Sequence, residues 1–164
     1  MVERYWNMMT DKKFHIVYLG LHYGKCVKIE RWLNIVLAVI STGSLGALLF
    51  TDEAQKALII ILALAQIVTA AKPYLPFQSR MNEIDKGLVA LNLIYNDIEK
   101  EWNSIFNGEY DEHTINQLYY DLSKRWEKAD AEILKNDSLP QKEKLILKAD
   151  KEKNHYFEVM FGGR

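Results

Sequence analysis

Disulfides, strand patterning and catalytic signatures are what this 164-residue chain lacks. It has one cysteine, Cys26, so no intramolecular disulfide forms; the residue reads as a packing position in a reducing setting. Strict apolar/polar alternation is not visible anywhere, which excludes a β fold and leaves all-α as the fold class. Neither GxGxxG nor GxxxxGK followed by Ser or Thr occurs, and no serine stands in GxSxG. His15, His22, His113 and His155 have no metal-ligand spacing with one another or with Cys26. Glu99/Glu101 and Asp111/Glu112 are too close in sequence to share a helix face. No basic stripe with interleaved aromatics is present, so direct nucleic-acid binding is not expected. The expectation is a protein with no catalytic residues, no metal and no cofactor.

What the chain does have is two apolar runs. Residues 32–50, "WLNIVLAVISTGSLGALLF", carry no charge and reach roughly 28 Å as a helix, close to the hydrocarbon thickness of a bilayer. Residues 57–71 are also uncharged, and "KPYLPF" extends them with interfacial side chains. The polar link "TDEAQK" permits only an antiparallel pair. The pattern predicts a transmembrane hairpin over 32–77, with spans at about 32–50 and 57–75. A helical bundle in water with a buried hairpin is the alternative, but neither run shows a polar stripe at the helical period. Lys12, Lys13, Lys25, Lys28 and Arg31 precede the first run and Lys72 and Arg80 follow the second, which places both termini on the cytoplasmic side. Within the spans, Ala38, Thr42 and Gly46 form a stripe of small residues at four-residue steps, and Ser41 falls near the depth of Gln66. With Gln66 and Thr69 these are the candidate residues for span packing or for lining a pore. The structural alternative for Gln66 is a hydrogen bond to Ser41 or Thr42 within its own hairpin.

Residues 1–31 mix Tyr5, Trp6, Met9, Phe14, Val17, Tyr18 and Leu21 with basic residues, predicting an amphipathic helix that lies along a membrane surface or packs on the back of the chain. Residues 78–164 predict a cytoplasmic helical hairpin or bundle. Ile84, Leu88, Leu91, Tyr95, Ile98, Trp102 and Ile105 recur every three or four positions, Gly108 stops that helix, and Asp111 caps the next. The second helix is expected to reach about Lys135 with Ile115, Leu118, Leu122, Trp126, Ala129 and Ile133 on one face. Pro140 opens a last helix bearing Leu145, Leu147, Ala149 and Tyr156. Large aromatics anchor helical interfaces, so Tyr95, Trp102 and Trp126 are the candidates for an oligomer or partner interface.

A polar N-terminal helix with "LHYGKCVKIERWLNIVLAVIST", a close two-span hairpin, then "IYNDIEKEW" and a charged helical region resembles the SLATT family, the SMODS- and SLOG-associating two-transmembrane effector domain. The His22–Tyr23 pair stands before the first run, as the family's His-Tyr pair does. The resemblance implies a bacterial inner-membrane effector of anti-phage defence that oligomerises and permeabilises the membrane. Its implied partners are the lipid bilayer, further copies of itself, and a sensor encoded nearby, a nucleotide-signal synthase or a retron reverse transcriptase complex. The alternative is a non-catalytic membrane anchor or adaptor that recruits a cytoplasmic partner.

Overall fold

In the computed structural model the described residues are 1–43, 52–71, 77–133 and 139–162. They form α1 (Val2–Gly43), α2 (Asp52–Ala71), α3 (Phe77–Phe106), α4 (Glu112–Ala131) and α5 (Glu143–Phe161), with no strand among them. The chain divides into two compact units, one made of Met1–Gly24 with Asn82–Arg164 and the other of Lys25–Met81.

The first unit, the helical domain, is built on helical periodicity. Tyr5, Met8, Met9, Ile16 and Leu19 share a face of α1, and their spacing of three, four and seven residues aligns them along one side. On α3 the buried set is Ile84, Leu91, Ile94, Tyr95, Ile98, Trp102 and Ile105. Ile115, Leu122 and Trp126 come from α4, and Leu145, Ala149 and Phe157 from α5. On α1 the inward face is turned from the one that the aromatics suggest, since Phe14, Val17, Tyr18 and Leu21 are only half-buried. On α5, Leu147 points outward and is 71% exposed, while Phe157 takes the core position.

The link between α3 and α4 follows from two residues. Gly108 adopts a positive φ of 74°, a conformation that costs glycine little. Its N–H reaches Ile105 O at 3.1 Å and the N–H of Glu109 reaches Ser104 O at 3.0 Å, the paired bonds of a Schellman cap. The carboxylate of Asp111 then accepts the backbone N–H of Thr114 at 2.9 Å and starts α4. α4 ends at Ala131, short of Lys135, and α5 begins at Glu143 rather than at Pro140.

The second unit corrects the expected transmembrane hairpin. Among the described residues no helix is long and apolar enough to cross a membrane. Within the described residues the measure is the reach of the uncharged stretches: that of α1, Trp32 to Gly43, covers about 18 Å against a hydrocarbon core of about 30 Å, and residues 44–50 of the expected span lie outside the described residues. α2 opens with Asp52, Glu53 and Lys56, so its uncharged part, Ala57 to Ala71, extends only about 22 Å. The bilayer as partner, the pore-forming or anchoring role, the inner-membrane location and the cytoplasmic placement of both termini all require such spans and fall with them. The oligomer and the nearby sensor, which belong to that setting, lose their basis as well.

Candidate functional site

Two features of the described residues stand out from an ordinary helical packing. The first is the surface of the Lys25–Met81 unit. Within it Leu33, Val36, Leu37 and Ile40 of α1 and Ile61, Leu64, Ala65 and Val68 of α2 enclose an apolar gap of about 230 Å³, which marks the seam between the two helices. Outside that seam large apolar side chains remain exposed: Trp32 is 67% exposed, Ile60 62%, and Ile35, Val39 and Ile67 are of the same kind. The candidate packing residues fall on this surface. Ala38, Gln66 and Thr69 are exposed. At 100° per residue Gln66 lies on the far side of α2 from the seam residues, so its amide is not a buried polar group needing a partner across the hairpin. Thr69 returns its hydroxyl to its own helix, donating to Ala65 O at 2.8 Å. The side chains of Ser41 and Thr42, and Gly46 altogether, lie outside the described residues. A shallow groove of about 460 Å³ beside this surface is lined by Val27, Glu30, Arg31, Asn34, Ile35 and Ala38, placing both signs of charge at one edge.

The second feature is an aromatic cup in the helical domain. Trp6 of α1, Trp102 and Phe106 of α3, and Phe161 of α5 bound a cavity of about 200 Å³. Trp102 and Phe106, like Phe157 and Phe161, are four residues apart and so stack on one helix face. The Trp6 ring centre lies 4.9 Å from Trp102, 5.1 Å from Phe157 and 5.6 Å from Phe161. Phe106 is 54% exposed, so the cup opens to solvent. A second cavity of about 480 Å³, lined by Asn96, Glu99, Lys100, Asn103, Met160 and Phe161, adjoins it through Phe161. A larger open cleft of about 710 Å³ runs between α1 and α4, lined among others by Glu3, Arg4, Asp11, Lys12, Tyr120 and Glu127. Its mixed charge focuses no single sign.

The proposed interface aromatics are core residues of their own domain: Tyr95, Trp102 and Trp126 are all buried. Trp126 meets the edge of His15 at 6.0 Å between ring centres, and Trp102 stacks on Tyr5. His22 is buried with its ring 4.8 Å from Tyr18, and Tyr23 packs half-buried on the core. Lys13 is held over the rings of Tyr156 and Tyr95, at 3.4 and 4.7 Å, and desolvation there holds its ammonium below the usual lysine range. The Tyr156 hydroxyl donates to the Glu99 carboxylate, and burial together with that bond pushes the phenol well above its ordinary range. No group of three or more potential metal ligands gathers among the described residues.

The cup is missing from the sequence reading because its members come from three helices far apart in the chain. The signal that was there is the pair of i, i+4 aromatics, Trp102–Phe106 and Phe157–Phe161. Compared with family models, with curated proteins and with solved structures, the chain matches none.

Proposed function

We propose that the chain is a non-catalytic interaction protein whose middle unit binds an apolar helical surface of another protein. The exposed apolar set on α1 and α2 carries this reading: Trp32, Ile35 and Val39, and Ile60, Leu64 and Ile67. Single exposed apolar residues are ordinary, but contiguous patches beyond a few hundred Å² are rare on monomers and mark contact surfaces. Both sets advance by three or four residues, the spacing at which one helix presents anchors to another. Glu30 and Arg31 at the edge supply the polar rim that orients such a contact. The non-catalytic part of the proposal is supported by how several titratable groups are used. His15 donates to Asp130, Tyr110 to Glu101 and Arg125 to Asp97, each fastening two parts of the domain. The SLATT-like order of parts, with His22 and Tyr23 ahead of the apolar unit, is proposed as a kinship of arrangement that does not carry the family's membrane spans with it.

Photo-cross-linking in cells tests the reading. A cross-linking residue at Val39 or Ile60 is expected to give one discrete adduct with a different protein, and none when placed at the exposed Lys148. Ile60→Glu with Ile67→Glu should abolish the adduct from Val39 while the free energy of unfolding changes by less than about 1 kcal/mol, about 0.5 for each exposed substitution. Adducts only with lipid or with a second copy of the chain, or an equal adduct from Lys148, would overturn it.

A further inference from the structure

The helical domain places its own cations over several of its aromatic rings. The Arg4 guanidinium carbon lies 4.1 Å from the Tyr119 ring centre, and Lys12 Nζ lies 5.0 Å from that of Trp126. Lys13 serves Tyr156 and Tyr95, and Lys153 stands 6.0 Å from Phe14. Trp6, Trp102, Phe106 and Phe161, the four rings around the cup, receive none of these contacts among the described residues. We infer that the cup is a binding site for a small solute carrying an alkylated ammonium group.

Three properties of the cup select that chemistry. Its walls include two indoles, whose faces attract cations more strongly than any other side-chain ring. Its volume of about 200 Å³ is below the range of roughly 300–1,000 Å³ usual for small-molecule pockets, so it takes one compact group rather than an extended ligand. Among the described residues no carboxylate, amide or hydroxyl side chain lines it. A primary ammonium or a guanidinium entering the cup would leave its N–H groups without acceptors, a desolvation cost that a fully alkylated ammonium does not incur. The adjoining cavity, with Asn96, Lys100 and Asn103 on its wall, gives the rest of such a solute a polar place to lie. This site is independent of the apolar surface on the other unit.

The test titrates the full chain with choline chloride and, separately, with 3,3-dimethylbutan-1-ol, which replaces the quaternary nitrogen by carbon at nearly constant shape. Sodium chloride holds ionic strength constant, and the indole N–H resonances of Trp6 and Trp102 are followed by NMR. The expected result is saturable shifts with choline and binding of the neutral analogue weaker by roughly fivefold or more. Phe106→Leu and Phe161→Leu should each weaken choline binding, and Phe106→Leu should leave thermal unfolding unchanged because the ring is largely exposed. Equal affinity for the two solutes would overturn the cation preference and leave a plain apolar cup. No shift with either by about 100 mM, or undiminished binding in both variants, would remove the site.

Discussion

Tyr5 and Tyr95 are both buried in the same core, yet their hydroxyls have opposite fates. Tyr5 donates to Ile98 O at 3.0 Å. The Tyr95 hydroxyl finds no hydrogen-bond partner among the described residues. Desolvation holds both phenols well above their ordinary range, so both are neutral near pH 7. A buried polar group without a partner costs about 1–3 kcal/mol, and a satisfied bond contributes about 0.5–1.5 kcal/mol. Tyr5→Phe is therefore expected to lower stability by about 1 kcal/mol, and Tyr95→Phe to leave it unchanged or raise it, measured by urea unfolding. A loss at Tyr95 as large as that at Tyr5 would refute the distinction. Asp130 adds a pH dependence. His15 Nε2–H donates to its carboxylate at 2.9 Å, and that bond, helped by the charges of His15 and Lys12, holds the Asp130 carboxyl below the usual range. A carboxyl depressed in the folded state contributes stability above its unfolded value of about 4, and the contribution is lost as pH falls through the folded value. Asp130→Asn should flatten the acid limb of the stability curve below about pH 4, read from unfolding midpoints across that range. An unchanged limb would show that the pair contributes nothing to stability.

At the scale of elements, α3 and the turn that follows α4 come close enough that one residue's size matters. A Cβ placed on Gly87 would run into the side chain of Ile133. Gly87→Ala is expected to destabilise by about 1–3 kcal/mol through overpacking, despite the better helix propensity of alanine. Adding Ile133→Val should recover part of that loss in thermal unfolding, whereas a stabilised Gly87→Ala would show that the Ile133 side chain gives way freely. Nothing in the sequence marks Gly87 as a contact, because a glycine inside a helical pattern is silent about what approaches it. The face of α3 was legible: Ile84, Leu91, Tyr95, Ile98, Trp102 and Ile105 are buried where their spacing puts them. So were the Gly108 stop and the Asp111 cap, since both act through local backbone bonds. The start of α5 and the inward side of α1 were not, because both depend on packing across helices rather than on neighbours in sequence. The cup was invisible for the same reason.

For the molecule as a whole, counting uncharged residues mistook hydrocarbon content for span. A run of apolar residues fixes composition, but a crossing needs one helix both long and apolar enough, and among the described residues there is none. The Lys25–Met81 unit also interrupts the helical domain, whose first segment ends at Gly24 and whose second begins at Asn82. Contacts within the domain therefore join residues far apart: His15 with Asp130, Tyr18 with Pro140, Trp6 with Phe157. During translation this arrangement has a cost in time. At about 5–20 residues per second, the buried face of α1 waits on the order of 7–28 s after its own synthesis before the Phe157 region has even been made. Of the five helices the one made earliest has partners that come latest, and through that interval Tyr5, Met9 and Leu19 are substrates for whatever holds nascent chains apart.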